Sequence, residues 1–385
     1  MQPINVTLKD IAGLRNLYMA AHNASKHRTR APSVRSFYKN EHVNVREMHE
    51  QLLNGTYRRG GYHEFWIRDP KLRMIAVLEW IDRVVHWAIY MQCKEDFNKR
   101  FLPCSYGVTA KRGVAAMIPL LSEWFHEADK FHEKAYFLKM DISKFFYRID
   151  PTILMYLLCR TFRDAQLLDL LEQYIERDSH IPFGFDLETK QRIFEKGIAC
   201  GMLFAGIFAE IYMHEFDKFV KHELHVSKYM RYCDDMVIVH HNKSELREIQ
   251  YRCEDFLFEK LQLELNRKTK IDNIKHGITY CGFRIFPDYV KVRRTSYQKM
   301  IGKLLYVKKA LAMGIITDAY AMNLPSSYDG FLKLRDTKKL RIKLFGTDKK
   351  PRFKKFPFEF QHKAPPLPIY EDIPFWDVIH AGHKE

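Results

Sequence analysis

The sequence has 385 residues, of which 46% are hydrophobic and 29% are charged, and its formal net charge is +16 at pH 7. This is an ordinary globular composition, with enough length for two or three subdomains that each have a core. No apolar run approaches the length of a membrane span, and the seven cysteines form no C-x-x-C pair, so neither a membrane protein, a zinc site nor a disulfide framework is expected. Since no signal peptide is apparent, we expect a reduced intracellular protein. The basic excess favours a polyanionic partner, with nucleic acid first and an anionic membrane surface second.

The first sixty residues predict helices. Apolar residues recur at helical spacing over residues 7–26 and again over 33–53. A basic linker, His27-Arg28-Thr29-Arg30, separates the two patterns. The linker is either a solvated loop or a contact with nucleic acid.

Two short alternating runs, residues 62–67 and 71–77, predict a β-hairpin around Asp69-Pro70. Lys71 and Arg73 stand two positions apart in the second strand, so they share one of its faces. Arginine donates two parallel hydrogen bonds to phosphate oxygens, and lysine adds a point charge. This face therefore either binds phosphate groups or is an ordinary solvated strand surface.

The middle of the chain is mainly helical in pattern. Helices are predicted over residues 79–98, 114–130, 202–222 and 244–262, and one or two helices over 151–177. An irregular loop containing glycine and proline is expected at 178–190. Gly201 stands directly before one helix, and the absence of a side chain there allows its backbone to approach a ligand closely.

Three aspartates form the candidate catalytic group. An apolar strand, residues 135–140, leads directly to Asp141, and Ser143 offers an N-cap for a following turn or helix. Asp234 and Asp235 stand between two strand-like runs that predict a hairpin with the aspartates at its turn. Adjacent carboxylates repel each other unless a cation lies between them, and oxygen-only ligands suit Mg²⁺. An Asp-Asp turn alone is more often a solvated loop, but three converging carboxylates could hold two ions for phosphoryl transfer.

Three stretches of this sequence resemble motifs of reverse transcriptases, and they occur in that family's order. The segment from Phe137 to Phe146 is similar to the first palm motif, Tyr232-Cys233-Asp234-Asp235 to the Tyr-X-Asp-Asp box, and Tyr280-Cys-Gly-Phe-Arg-Ile285 to the primer-grip hairpin. Ala199-Cys200 replace the family's Pro-Gln, and Ala205-Gly206 replace its Ser-Pro. This departure removes a glutamine near the nucleotide and leaves the metal ligands untouched.

The resemblance implies a role for each of several residues. Catalysis is expected from Asp141, Asp234 and Asp235, and two Mg²⁺ ions are expected on Asp141, Ile142, Asp234 and Asp235. Nucleotide binding is expected from Lys71, Arg73, Phe146, Gly201 and Lys268. Nucleic-acid binding is expected from Lys111, Arg112, Tyr232, Gly282, Phe283, Lys299 and Lys303. Phe146 occupies the steric-gate position, where its ring would repel a ribose 2′-OH, although one of the two neighbouring phenylalanines is expected to be core. Lys270 is an equal candidate to Lys268 for the role near the nucleotide. For either lysine the other interpretation is an ordinary position on a surface strand.

The implied fold is an α+β right-hand polymerase with fingers, a palm built on an antiparallel sheet, and a short helical thumb. The implied division is an N-terminal helical extension at 1–60, fingers at 61–135, a palm at 136–290 with a fingers insertion around 151–195, a thumb at 291–345, and a basic tail rich in proline and aromatic residues at 346–385. Lysines of the thumb would bind duplex phosphates without reading the sequence.

The implied function is RNA-directed DNA polymerisation. The enzyme would copy a structured noncoding RNA template into cDNA, with dNTPs as substrates. It would act in the bacterial cytoplasm and would have no membrane partner. The compact chain resembles retron, group II intron-like and defence-associated reverse transcriptases, the last of which protect bacteria against phage; their type 2 branch is one candidate. Template-independent or protein-primed synthesis at the same site, or a non-catalytic RNA-binding scaffold, are the alternatives. The identity of the template, the priming mode and the oligomeric state stay open.

Overall fold

The computed structural model describes residues 2–26, 28–29, 31–68, 72–108, 112–175, 184–185, 192–193, 196–199, 201–333 and 337–345. The described chain combines helices with small antiparallel sheets and therefore belongs to the α+β class. It divides into two compact units that alternate along the sequence. The first unit consists of residues 1–113, 138–238 and 244–270, and the second of residues 114–137, 239–243 and 271 onward. Among the described helices, none is long and apolar enough to cross a bilayer.

The N-terminal region contains four helices where the periodicity predicted two. They are α1 (Leu8–Ala12), α2 (Leu14–Ser25), α3 (Pro32–Lys39) and α4 (Glu41–Leu53). Gly13, with φ −49° and ψ 128°, ends α1, and Asn40 separates α3 from α4. Apolar residues on both sides of each break, such as Ile11 and Leu17, are buried. The hydrophobic pattern therefore continues through the breaks and does not reveal them.

The predicted hairpin near residue 70 is confirmed. Strands β1 (Tyr62–Arg68) and β2 (Leu72–Leu78) pair antiparallel, with Tyr62 opposite Leu78 and Ile67 opposite Arg73. The predicted helix after it is also confirmed as α5 (Trp80–Arg100), whose first turn carries the buried Asp82.

The chain continues with α6 (Val114–Phe131), β3 (Tyr136–Asp141), α7 (Phe145–Arg148), α8 (Pro151–Thr161), α9 (Ala165–Glu172), β4 (Gly184–Phe185), β5 (Arg192–Ile193), α10 (Leu203–Lys218), β6 (Tyr229–Tyr232), β7 (Asp235–His240), α11 (Lys243–Leu261) and β8 (Lys270–Asn273). A π-helical turn, Phe219–Glu223, extends α10. The central four-stranded sheet has the order β6-β7-β3-β8. This order makes the hairpin of β6 and β7 the direct neighbour of the strand that ends at Asp141.

The last part of the second unit is a small sheet followed by three helices. Strands β9 (Ile278–Tyr280), β10 (Phe283–Ile285) and β11 (Val290–Val292) form an antiparallel sheet in the order β11-β10-β9. The helices are α12 (Arg294–Ala312), α13 (Asp318–Leu332) and α14 (Lys338–Phe345). They bury an apolar core of their own, formed by Met300, Leu304, Val307, Ala321, Leu324, Leu332, Leu344 and Phe345.

Candidate active site

The predicted catalytic hairpin has a two-residue turn. Tyr232 pairs with Asp235 as the last rung of the β6–β7 ladder, so the turn consists of Cys233 and Asp234. Asp235 is therefore the first residue of β7 rather than a turn residue, which corrects the predicted position of the second aspartate. Cys233 has a φ of 54°, a left-handed conformation that residues with a side chain rarely adopt. All four residues are half-buried.

Main-chain hydrogen bonds bring Asp141 and Asp234 to neighbouring strand ends. The N–H of Ile142 donates to the carbonyl of Asp234 at 3.3 Å, and the N–H of Asn266 donates to the carbonyl of Asp141 at 2.6 Å. The side-chain amide of Asn266 also donates to Oδ2 of Asp141 at 3.1 Å. The main chain at Asp141 therefore lies next to the hairpin, as predicted. Asn266 is a contact of the site that the sequence did not indicate.

Lys139 forms an ion pair with Asp235, with 3.3 Å between Nζ and Oδ1. Both side chains are partly exposed, at 22% and 25%. Lys139 was not among the predicted site residues. The period of two along β3 places residues 139 and 141 on the same face of the strand, and this signal could have found it.

The donor chemistry of the site fits a hard divalent cation. Asp141, Asp234 and Asp235 supply only oxygen, the ligand atom that Mg²⁺ prefers. Within the ranges that the structure describes, however, no three His, Cys, Asp or Glu side chains are grouped so as to hold a metal ion. Instead, Asp235 is paired with the ammonium of Lys139, and Asp141 accepts a hydrogen bond from the amide of Asn266. The assignment of metal ions to the three aspartates and Ile142 stays a prediction.

A buried group of charges lies beside the turn. Arg231, in β6, donates to Asp217 Oδ2 at 2.6 Å and to Glu210 Oε2 at 2.9 Å, both from α10, and to the carbonyl of Cys233 at 3.0 Å. Burial works to lower the pKa of Arg231, but the carboxylates of Asp217 and then Glu210 outweigh it and raise that pKa well above its usual value. Arg231 therefore stays charged. The sequence did not indicate this group, because alternation along β6 does not distinguish a buried charge from an exposed one.

The predicted nucleotide-binding residues have mixed surroundings. Phe146 is half-buried in α7 and its ring centroid lies 5.4 Å from that of the buried Phe145, so one of the pair is core, as expected. Lys268 is exposed, and its N–H donates to Oδ1 of Asn266. Lys71 lies outside the described residues; Arg73 belongs to β2, but its side chain lies outside the description. The N-cap of α7 is Lys144, at φ 49°, and not Ser143 as predicted.

Gly201 has a structural reason to be glycine. Its φ is 121°, and a Cβ at this position would lie 2.8 Å from Cγ2 of Ile75 and 3.0 Å from the carbonyl oxygen of Ala76. The sequence predicted a close approach to a ligand, whereas the close neighbour in this structure is strand β2. Its predicted contact with a nucleotide stays a prediction.

The predicted nucleic-acid contacts differ in accessibility. Phe283 is fully buried and its ring stacks on Phe331 of α13, with 4.4 Å between centroids, which corrects the expectation that this side chain faces nucleic acid. Arg112 donates to the carbonyl of Leu102 at 2.8 Å and so bonds the protein backbone. The other positions are Tyr232, half-buried; Gly282, whose carbonyl accepts from the N–H of Arg293; Lys299, exposed on α12; Lys303, half-buried on α12; and Lys111, outside the described residues.

Comparison with known proteins relates most of these elements to one protein family. Residues 67–285, more than half of the chain, match the family described as reverse transcriptase (RNA-dependent DNA polymerase). The group II intron-encoded protein LtrA of Lactococcus lactis subsp. cremoris, and the same protein of strain MG1363, are each 21% identical, over 71% of this chain and 53% of the relative. The chain thus spans about half the length of the curated relatives it matches.

Among solved structures, apo telomerase from Candida tropicalis has a TM-score of 0.45 at 15% identity, covering 62% of this chain and 48% of the telomerase. Telomerase from Candida albicans in complex with a TWJ fragment of telomeric RNA has a TM-score of 0.43 at 12% identity, covering 62% and 46%.

Proposed function

The chain belongs to the reverse transcriptase (RNA-dependent DNA polymerase) family, and from that premise we propose that it copies a structured noncoding RNA into complementary DNA. Its α+β structure is the right-hand polymerase fold of that family. The observation that carries the proposal is the hydrogen bond from the N–H of Ile142 to the carbonyl of Asp234. This bond joins the end of β3 to the turn of the β6–β7 hairpin, so Asp141 lies beside the neighbouring pair Asp234 and Asp235, from which it is distant in sequence.

In the proposed reaction the 3′-hydroxyl oxygen of the growing strand attacks the α-phosphorus of a dNTP, and the bond to pyrophosphate breaks. Asp141, Asp234 and Asp235, together with Ile142, would hold two divalent ions. When bound, these ions supply charge stabilisation for the attacking and leaving oxygens. The lysine of the Lys139–Asp235 pair holds that carboxylate in place beforehand. Catalysis of this kind depends on positioning and electrostatics more than on covalent chemistry by the protein.

The remaining predicted residues would bind the substrates. Lys71 and Arg73 would neutralise the triphosphate, and Lys268 would stand near the leaving pyrophosphate. Phe146, half-buried beside Phe145, would exclude a ribose 2′-OH by volume. Lys299 and Lys303 on α12 would hold the phosphates of the duplex, which fits the net charge of +16.

The biological setting forms part of the same proposal. A reverse transcriptase with a Tyr-Cys-Asp-Asp box resembles bacterial enzymes that work with a dedicated noncoding RNA in defence against phage. We propose that role, in the bacterial cytoplasm, for this chain.

The test is primer extension on an RNA template with dNTPs and Mg²⁺. Asp234→Ala combined with Asp235→Ala should abolish DNA synthesis, whereas Asp169→Ala, an exposed aspartate on α9, should leave it unchanged. Equal synthesis by both variants would overturn the assignment of the active site.

Sequencing of the RNA and DNA that co-purify with the chain from its native locus tests the template. One structured RNA with complementary cDNA supports the proposal. DNA made without any complementary RNA would replace it by template-independent synthesis, and a tyrosine covalently linked to DNA would identify protein priming. Bound RNA with no DNA would replace it by a non-catalytic scaffold.

A further inference from the structure

Arg231 connects the candidate catalytic turn to the protein interior. Its side chain is fully buried, as are those of its partners Glu210, Asp217 and Ser105, which are at most 1% exposed. The guanidinium donates from Nε and Nη2 to the two oxygens of Asp217, at 2.8 and 2.6 Å, and from Nη2 and Nη1 to those of Glu210, at 2.9 and 3.3 Å. Two carboxylates thus fix one guanidinium from two sides. A cation held in this way has little freedom to rotate.

The same guanidinium reaches the turn itself. Its Nη1 donates to the carbonyl of Cys233 at 3.0 Å, and Cys233 is the residue with the left-handed backbone. A residue with a Cβ avoids this conformation unless its surroundings stabilise it. The hydrogen bond to the carbonyl is charge-assisted and therefore stronger than one from a neutral donor. It is a direct source of the required stabilisation.

The surroundings also restrict how the turn can move. The N–H of Arg231 donates to the carbonyl of Cys104 at 2.8 Å, and the N–H of Tyr106 donates to the carbonyl of Arg231 at 2.9 Å. A Cβ on Gly107 would lie 2.5 Å from Oε1 of Glu210 and 3.2 Å from both N and Sγ of Cys233. Residues 104–107, β6 and the network are therefore packed against one another without spare volume.

We propose that Arg231 is a positioning residue, whose guanidinium, fixed by Glu210 and Asp217, holds the carbonyl of Cys233 and thereby sets the left-handed turn that presents Asp234 and Asp235. The inference rests on the function proposed above, since it assigns to the network the orientation of that function's carboxylates. The competing explanation is that the network stabilises only the packing of β6 on α10. The two explanations differ in what happens locally at the turn.

The first test is Arg231→Lys, which keeps the positive charge. Lysine lacks the planar fork, so one ammonium cannot serve two carboxylates and the carbonyl at once. We expect amide hydrogen exchange within residues 229–240 to accelerate about tenfold, the fold-change for loss of one charge-assisted hydrogen bond. Primer extension should lose about tenfold in kcat, with little change in the KM for dNTP, because the substrate-binding residues are untouched.

The second test is rescue by Cys233→Gly in the Arg231→Lys background. Glycine adopts a positive φ without steric cost, so a turn that contains it has less need of the guanidinium. We expect the double variant to recover a large part of kcat and of the exchange protection. A role confined to packing of β6 on α10 predicts no recovery, because Cys233→Gly restores no contact with Glu210 or Asp217.

The matched control is Arg341→Lys. Arg341 is another buried arginine, on α14, and its Nε donates to Asp329 at 2.7 Å. This variant should leave exchange within residues 229–240 unchanged. A uniform rise in exchange along the whole chain in Arg231→Lys, or a double variant no better than the single one, would overturn the proposal.

Amide hydrogen exchange distinguishes a failure of the positioning role of Arg231 from a failure of the proposed polymerase function. If the wild-type chain extends no primer, the proposed polymerase activity fails, yet the exchange of residues 229–240 and its rescue by glycine still decide whether Arg231 sets the turn. If the wild-type chain is active and Arg231→Lys matches it in both exchange and kcat, only the positioning role fails.

Discussion

Replacement of Gly201 by alanine combines two separate costs. The backbone of Gly201 has φ 121°, a region that residues with a side chain scarcely populate. In addition, the new Cβ would lie 3.0 Å from the carbonyl oxygen of Ala76 and 2.8 Å from Cγ2 of Ile75. The first of these atoms belongs to the backbone of β2, which cannot turn away as a side chain can. We therefore expect both a backbone strain and a displacement of the hairpin.

Two other glycines separate these costs. Gly113 has a similar φ of 132°, but no atom of the described residues lies within 4 Å of its would-be Cβ, so Gly113→Ala is expected to have the strain alone. Gly206 lies inside α10, and its would-be Cβ makes an ordinary contact of 3.4 Å with Val108. Strain at such a φ costs about 1–3 kcal/mol, and overpacking adds about 1–3 kcal/mol. The expected loss of unfolding free energy is thus roughly 2–6 kcal/mol for Gly201→Ala and about 1–3 kcal/mol for Gly113→Ala. Gly206→Ala should gain about 0.5–1 kcal/mol, as alanine does within a helix.

The assay is urea unfolding followed by far-UV circular dichroism, with hydrogen exchange of residues 72–78 measured in parallel. Only Gly201→Ala should accelerate exchange in β2, since only its methyl group pushes on that strand. The reasoning is refuted if Gly201→Ala is no less stable than Gly113→Ala, or if Gly206→Ala is the most destabilising of the three.

Three further predictions concern a buried histidine, an ion pair and an aromatic stack. The ring nitrogens of the buried His86 have no hydrogen-bond partner among the residues that the structure describes. Its pKa is lowered to about 3, first by burial and then by Arg83. Below about pH 6.5 the unfolded state binds a proton that the native state does not, so this residue makes stability fall on acidification, and the difference in unfolding free energy from His86→Leu should change by roughly 1.4 kcal/mol per pH unit between about pH 6 and 4. Thermal unfolding of both proteins across that range checks it, and parallel pH profiles would contradict it. Lys139→Met should lower the Mg²⁺ concentration for half-maximal binding about fivefold, because Mg²⁺ would no longer compete with the lysine for the carboxylate of Asp235 in a partly exposed ion pair. Calorimetric titration checks this prediction, and weaker Mg²⁺ binding would contradict it. Phe283→Ala should destabilise the chain by about 3–5 kcal/mol, because it truncates a core side chain. Lys299→Ala, on the exposed face of α12, should leave stability nearly unchanged and weaken duplex binding. Equal stability of the two variants in urea would contradict the buried position of Phe283.

Local patterns predicted the hairpins and most helices. Strands β1 and β2 were visible as two alternating runs around a turn. The β6–β7 hairpin was visible as two short apolar runs around Asp234, because strands that are buried at consecutive positions have continuous apolar sequences. The helix breaks at Gly13 and Asn40 were not visible, since burial continues across them. The family resemblance, and not periodicity, supplied the expectation that β3 lies beside the hairpin.

Contacts distant in sequence escaped prediction. Arg231 meets Glu210 and Asp217 across 21 and 14 residues, and Ser105 across 126. In a strand pattern an arginine indicates a solvent-facing position, yet this one is fully buried. The burial depends on two acidic residues of α10, which a helix pattern also places toward solvent. Charges that compensate each other inside a protein leave no trace in a pattern that sorts residues by polarity alone.

The alternation of the two units along the chain has a consequence for biosynthesis. Helix α6, with its buried face of Met117, Ile118, Leu121 and Phe125, belongs to the second unit, but most of that unit begins only at residue 271. At a ribosomal rate of about 5–20 residues per second, roughly 7 to 28 s pass between the emergence of α6 and that of residue 271. During this interval the apolar face of α6 lacks most of the unit that it belongs to. The chain is therefore expected to depend on a holdase chaperone, or on rapid synthesis, more than a protein whose units follow one another in sequence.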